Sequence, residues 1–307
     1  MSSEDRADSS PRQKKPIARF ATFLLLAICI IGGIFLFRNV RNINLQSSCQ
    51  TRLSTLGEAI HKYHESHNAF PPAAGPIIPN DASSNALSEV ELVSDADAPT
   101  EANKWSWRVR ILPFFDEEEL YDKFQFNEPW DSEHNLTVAE TMPLLFQCPA
   151  EESGTKEING QAVPVTSYVM VSGPKTIGST DGRIVCFEDV LDGLNNTLLF
   201  VEVIGKYRPA WTEPTDITLE ELARGLKADS GMSVDSRHPG KPGGANICLA
   251  DCSTWLIESD LFEGNELSKY YNNIGELFVT LAIYDNDYIP ALPYGPDEEP
   301  QQEELID

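Results

Sequence analysis

The hydrophobic pattern of the chain changes character twice. Phe20–Phe37 is an unbroken run of 18 uncharged, mostly apolar residues. It comes close to the length of about 20 residues that crosses a bilayer core, and Ile17 and Ala18 extend it if the Arg19 side chain reaches back to the headgroups. Farther on, Leu53, Leu56, Ile60 and Tyr63 recur at i, i+3, i+7 and i+10, an apolar stripe along one side of a helix. The two patterns together predict a helix from Phe20 to His67. Asn42–Ser48, with two Asn and two Ser, predicts a bend or interruption in it, and Phe70-Pro71-Pro72 ends it.

After Pro72 the pattern shortens. Ala73–Asn103 is rich in Ala, Ser, Pro and acids and reads as a loop or insertion, with Leu87–Val93 as the part that orders. Trp105–Phe115 is dense enough in aromatic and aliphatic residues to enter a core, Asp116–Phe124 has helical spacing, and Phe146-Gln147-Cys148-Pro149 reads as a strand end. Strands are predicted over Thr166–Val171, Ile184–Phe187, Thr197–Val203, Asn246–Leu249 and Thr254–Ile257, separated by turn signals such as Asp192-Gly193 and Pro242-Gly243-Gly244. Thr218–Gly225 reads as a short helix, and Glu266–Leu281 fits either state. The expected fold class is α+β: a long N-terminal helix, half in membrane and half exported, packed on an antiparallel sheet with loop insertions. The expected divisions are a disordered head (1–16), a transmembrane helix (17–37), an exported domain (38–284) and an acidic tail (285–307).

The apolar run exceeds the core of about 7–15 residues found in a signal peptide, and Phe37-Arg38-Asn39-Val40-Arg41 is a poor cleavage site. It is therefore read as an uncleaved anchor with the lipid bilayer as its partner. Arg6, Arg12, Lys14, Lys15 and Arg19 precede it, whereas only Arg38 and Arg41 closely follow. The positive-inside rule then keeps the N-terminus cytoplasmic and exports the rest from a single pass of the inner membrane.

Charge narrows the partners. The chain carries −25, and residues 1–37 contribute +2, leaving −27 on the remainder. That sign excludes nucleic acid and anionic lipid as ligands of the domain. It suits a solvated, self-repelling surface and admits divalent cations as a partner, and no cofactor motif is present. Of six cysteines, Cys29 lies in the apolar run, and Cys49, Cys148, Cys186, Cys248 and Cys252 would be exported, where disulfides persist. Five leaves the pairing open. Cys248-x3-Cys252 is half of a zinc spacing and lacks a second pair.

Candidate chemistry is sparse. His61, His64 and His67 follow a three-residue spacing that places the first two near one helix face, suited either to a metal or to packing against aromatic rings. Asp189, Asp192 and Asn195 resemble a thin Ca²⁺ loop, although the spacing fits no EF-hand and equally suits a β-turn. His238 with Asp251 has the composition of a general base and its orienting carboxylate, with Cys252, Ser236 or Ser253 as nucleophile, but no nucleophile-elbow pattern surrounds them. No residue is assigned as catalytic.

The motifs also resemble a family. Cys49–His64 followed by Phe70-Pro71-Pro72, then Ser106-Trp107-Arg108-Val109, Leu112-Pro113-Phe114, Leu120-Tyr121, Glu128-Pro129-Trp130-Asp131-Ser132, Cys148-Pro149, Asp189–Thr197, Val201-Glu202-Val203, His238-Pro239-Gly240 and Ala250-Asp251 are similar to the DUF1559 proteins of planctomycetes. Those proteins share type II secretion pseudopilin character and a C-terminal H-X9-DG element. The resemblance carries over family-motif positions Cys49, His64, Pro71, Trp107, Trp130, Asp131, Cys148, Asp192, Gly193, Asn196, Glu202, His238 and Asp251. It implies a bacterial cell-envelope protein with a pilin-like helix, a structural or interaction role, envelope proteins as partners and no established biochemical activity.

Two departures stand out. Arg19-Phe20-Ala21-Thr22-Phe23-Leu24 has neither the Gly nor the Glu of a prepilin cleavage signal, and Cys252 stands where the H-X9-DG element has Gly, with a longer His-to-Asp spacing. The alternatives carried forward are a subunit of a type II secretion or pilus-like assembly, and an exported hydrolase or metal-dependent enzyme.

Overall fold

The computed structural model describes residues 16–76, 104–179, 183–227, 231–236, 244–258 and 271–285, with side chains from Leu26 onward. The predicted head except Pro16, the Leu87–Val93 segment, His238 with Pro239 and Gly240, and all of the acidic tail except Asp285 lie outside the described residues. The chain divides into two compact units, 1–44 and 45–307.

Helix α1 runs from Pro16 to His67 without a break, so the Asn42–Ser48 interruption does not occur. Its 52 residues rise about 78 Å. In the first unit, the apolar side chains from Leu26 to Phe37 are exposed on every side, Phe37 to 70%. The helix is long and apolar enough to cross a membrane. In the second unit the exposure becomes one-sided: Cys49, Leu53, Leu56 and Ile60 are fully buried. Asn68, at φ 52, stops the helix in the left-handed conformation, with its N–H donating to the His64 carbonyl at 2.6 Å.

The remaining elements of the second unit are short. They are β1 (Ala74–Gly75), β2 (Trp105–Ser106), α2 (Trp107–Arg110), α3 (Glu118–Tyr121), α4 (Glu133–Ala139), β3 (Thr155–Ile158), β4 (Gln161–Pro164), β5 (Tyr168–Gly173), β6 (Gly178–Ser179), β7 (Leu198–Glu202), β8 (Ile217–Thr218), α5 (Leu219–Leu222), β9 (Gly244–Leu249), β10 (Thr254–Glu258) and α6 (Ile274–Ala282). The central sheet is ordered β10-β9-β7-β5-β6, with β8 also on β5. Its long pairings are antiparallel; β6 and β8 join the end of β5 in parallel.

Strand alternation divides the core between the two faces of this sheet. Tyr168, Met170, Phe200 and Cys248 pack with α1, Trp105, Trp107 and Phe146. Val169, Val171, Val201, Ile247 and Leu249 pack on the other face with Leu277, Phe278 and Leu281 of α6. Of the predicted strands, Ile184–Phe187 does not form one. Its Val185 carbonyl accepts the Phe70 N–H at 2.8 Å, and a 3-10 turn begins at Phe187. Phe146–Pro149 likewise does not end a strand: Phe146 closes a 3-10 turn, Leu144–Phe146, and Gln147–Pro149 follow it.

One buried ion pair pins this architecture. Arg108 of α2 donates to Asp216 Oδ1 at 2.5 Å, and both side chains are essentially inaccessible. The same oxygen accepts the Trp107 indole N–H at 3.0 Å and the Met170 amide at 2.9 Å. Arg108 also donates to the Tyr168 carbonyl and to Ser106 Oγ, so the segment entering β8, the α2 turn and strand β5 share one polar knot.

Candidate functional site

The central strands set three polar side chains in a row on the face that α1 covers. Tyr168 of β5 lies directly opposite Glu202 of β7, and Asn246 of β9 donates its Nδ2 to Glu202 Oε2 at 2.7 Å. All three residues are fully buried. Cys49 closes the row from α1, one helical turn before Leu53. Its Sγ lies 2.8 Å from the Tyr168 hydroxyl and donates to Glu202 Oε1 at 3.4 Å.

Cys148 meets it from the other side, Sγ to Sγ 2.8 Å. The backbone around Cys148 is held in place. The Phe146 carbonyl accepts the Ser167 N–H at 2.8 Å and the Thr166 hydroxyl at 3.0 Å, and Arg52 of α1 donates to the Gln147 carbonyl. Among the described residues, Cys49, Cys148 and Glu202 form the one group of three potential ligand atoms lying within 4.8 Å of one another. His61, His64, Asp189 and Asp192 are not part of it.

This is not a nucleophile's environment. Burial, reinforced by the Cys148 contact and the nearby Glu202 carboxylate, pushes the Cys49 thiol far up. Burial does the same to the Tyr168 phenol. Both stay protonated at neutral pH, and a buried thiol of this kind is inert unless the fold opens.

The helix end forms a second cluster. His64 stacks on Phe187 with ring centroids 3.6 Å apart, and its Nε2 accepts the Phe187 N–H at 3.1 Å. His61 Nε2 lies 2.6 Å from the Ala250 carbonyl, and His67 stacks on Tyr63 at 4.0 Å. These rings bind backbone groups and other rings. Burial holds His64 below the ordinary imidazole value, partly offset by Glu188. The unfolded chain therefore takes up a proton near pH 6.5 that the folded chain refuses. Stability is expected to fall as pH drops from about 7.5 through 6.5, and His64→Phe is expected to flatten that slope, as read by urea denaturation at successive pH values.

The Asp189–Asn196 loop is held by local backbone bonds. Asp189 Oδ2 accepts the Cys186 N–H at 2.7 Å, the Asp192 carbonyl accepts Asn196 Nδ2 at 3.0 Å, and Gly193 takes φ +87. Pro71 is buried just past the helix end, and Trp130 is half-buried against the core. The neighbouring Asp131 carbonyl accepts from Asn159. Asp251 is exposed, and its Oδ1 accepts both the N–H and the hydroxyl of Ser253. Cys252 keeps the left-handed backbone that a Gly would favour, φ 69, at a cost of about 1–2 kcal/mol, and lays its sulfur against Gly57.

A cavity of about 310 Å³ opens beside Gln147, lined also by Glu140, Ser153 and Thr155. Its lining offers two hydroxyls and one carboxylate but no imidazole or thiol. Tyr168, Asp216 and Asn246 stand in no motif of the sequence, and Arg108 stands in the Ser106–Val109 motif without any sign of its buried partner. Cys49, Cys148 and Glu202 do stand in motifs, although nothing in the spacing brings them together.

A family model described as a protein of unknown function (DUF1559) matches residues 46–225. The chain belongs to the DUF1559 family. The matched span contains Cys49, Cys148, Tyr168 and Glu202, and it stops before Asn246 and Asp251. No curated protein and no solved structure matches the chain.

Proposed function

We propose that this DUF1559 protein is a membrane-tethered envelope protein with an uncleaved N-terminal anchor and a cytoplasmic N-terminus. Its exported domain has a pseudopilin-like layout and acts through structural or binding contacts rather than catalysis. The observation that carries the reading is the change along α1, from apolar side chains exposed on all sides at Leu26–Phe37 to a single buried stripe from Cys49 onward. Water would penalise the first half, whereas a bilayer accepts it. The run holds twelve Leu, Ile and Phe residues, which favour insertion by roughly 4–7 kcal/mol at about 0.3–0.6 kcal/mol each. The basic residues before the run support the orientation. The missing Gly and Glu at Arg19–Leu24 favour a tether over a processed filament subunit.

The test compares the full chain with a variant lacking residues 1–37. The full chain is expected to float with membranes and to resist alkaline extraction, and the variant to lose nearly all of its membrane-bound fraction. A full chain released by alkali, or a truncated chain that still floats, would count against the anchor.

A further inference from the structure

The Cys49–Cys148 contact joins two parts of the chain that sequence keeps far apart. Cys49 lies on α1, twelve residues past the end of the apolar run, and Cys148 lies 99 positions farther along, in backbone clamped to Thr166 and Ser167 at the entry to β5 and to Arg52 of α1. The sulfurs are 2.8 Å apart. Two thiolates sharing a tetrahedral zinc, with Zn–S of about 2.3 Å, would sit roughly 3.8 Å apart. The contact is therefore too close for a shared metal unless the sulfurs spread, and they need only a small approach to bond. The surroundings suit a bonded pair, because Tyr168 and Asn246 supply hydrogen-bond donors to the neighbouring sulfur and carboxylate.

We propose that Cys49 and Cys148 form a disulfide that fastens the membrane helix covalently to the sheet domain. The inference rests on the exported placement proposed above, since that compartment holds the oxidant: a donor disulfide of the thiol-exchange class. One cysteine, as thiolate, attacks a donor sulfur and expels a donor thiolate, which leaves a mixed disulfide. The second cysteine, also deprotonated, attacks the cysteine sulfur of that mixed disulfide. The Cys49–Cys148 bond forms as the mixed bond breaks and the second donor thiolate leaves. Two thiols are oxidised, the donor disulfide is reduced to two thiols, and the two cysteine protons end on the donor. Because burial suppresses the thiolate, exchange takes place while the site is open during folding; once closed, the bond is shielded from reductants.

The test uses full-length protein extracted from membranes in detergent, alkylated in denaturant without reductant, and digested with trypsin. Cleavage after Arg41 and Arg52 releases the Cys49 peptide. It is expected almost entirely as a cross-link to the Cys148 peptide, two hydrogens lighter than the sum of the two, with Cys29, Cys186, Cys248 and Cys252 alkylated. Native protein treated with reductant should keep the cross-link, and denatured protein should lose it. A reporter fusion run in parallel separates the two readings. An exported domain with Cys49 and Cys148 both alkylated overturns the cross-link and leaves the anchor standing. A pair that releases bound zinc to a chelator, or Cys49 linked to another cysteine, also overturns it. A cytoplasmic domain overturns both readings.

Discussion

Replacing Arg108 with methionine is expected to destabilise the domain by about 3–5 kcal/mol, because it leaves the Asp216 carboxylate buried without its cation. That is a large part of the roughly 5–15 kcal/mol that holds a domain of this kind together. The loss should depend on pH in a defined direction. Burial already pushes Asp216 up to about 6, against the opposing pull of Arg108, Trp107 and the Met170 amide. Without Arg108 it rises further. An acid whose folded value exceeds its unfolded value of about 3.9 lowers stability as pH climbs from the unfolded toward the folded value. The Arg108→Met penalty should therefore be greater at pH 7.5 than at pH 5, as read by urea denaturation. Adding Asp216→Leu should restore much of the loss, since an apolar pair of similar volume avoids desolvating a charge. Equal penalties at both pH values would show that Arg108 matters for its packing alone.

Cys49→Ala carries the second large effect. A cross-link closing a loop of about 100 residues restricts the unfolded chain by roughly 4.7 kcal/mol in the chain-entropy account, and removal of native disulfides costs about 2–5 kcal/mol. Loss in that range is expected for Cys49→Ala and for Cys148→Ala. The double variant should be no worse than the worse single one, because either change already removes the bond. Unfolding of the wild type should become easier when reductant accompanies the denaturant, and unfolding of each variant should not respond. Additive losses with no reductant effect would mark two independently packed thiols.

The long-range frame was legible from periodicity. The Leu53, Leu56, Ile60 and Tyr63 stripe is the buried side of α1, and Thr197–Val203, Asn246–Leu249 and Thr254–Ile257 are strands of the central sheet. Periodicity failed where tertiary contacts outweigh local preference. Ile184–Phe187 has a strand's composition, yet Val185 bonds to the helix-end backbone at Phe70 and Phe187 stacks on His64. Asn42–Ser48 has a helix breaker's composition, yet the helix continues through it. One legible signal went unused: Asn159-Gly160, with φ 49 and 86, turns the β3–β4 hairpin in the way that dipeptide favours. The buried cluster is of another kind. Its members come from α1, the turn at Cys148 and three adjacent strands, so only the sheet register and the helix rotation bring them together.

The tether is tested most directly by protease access from outside the cytoplasmic membrane. The full chain would carry a tag before Met1 and a second tag joined beyond Asp307 through a cleavable site. Protease would be added to cells whose outer layers are opened while the inner membrane stays intact. The account predicts that the C-terminal tag is lost and that the N-terminal tag is protected and remains with the membrane. A C-terminal tag that survives until the membrane is lysed would contradict it.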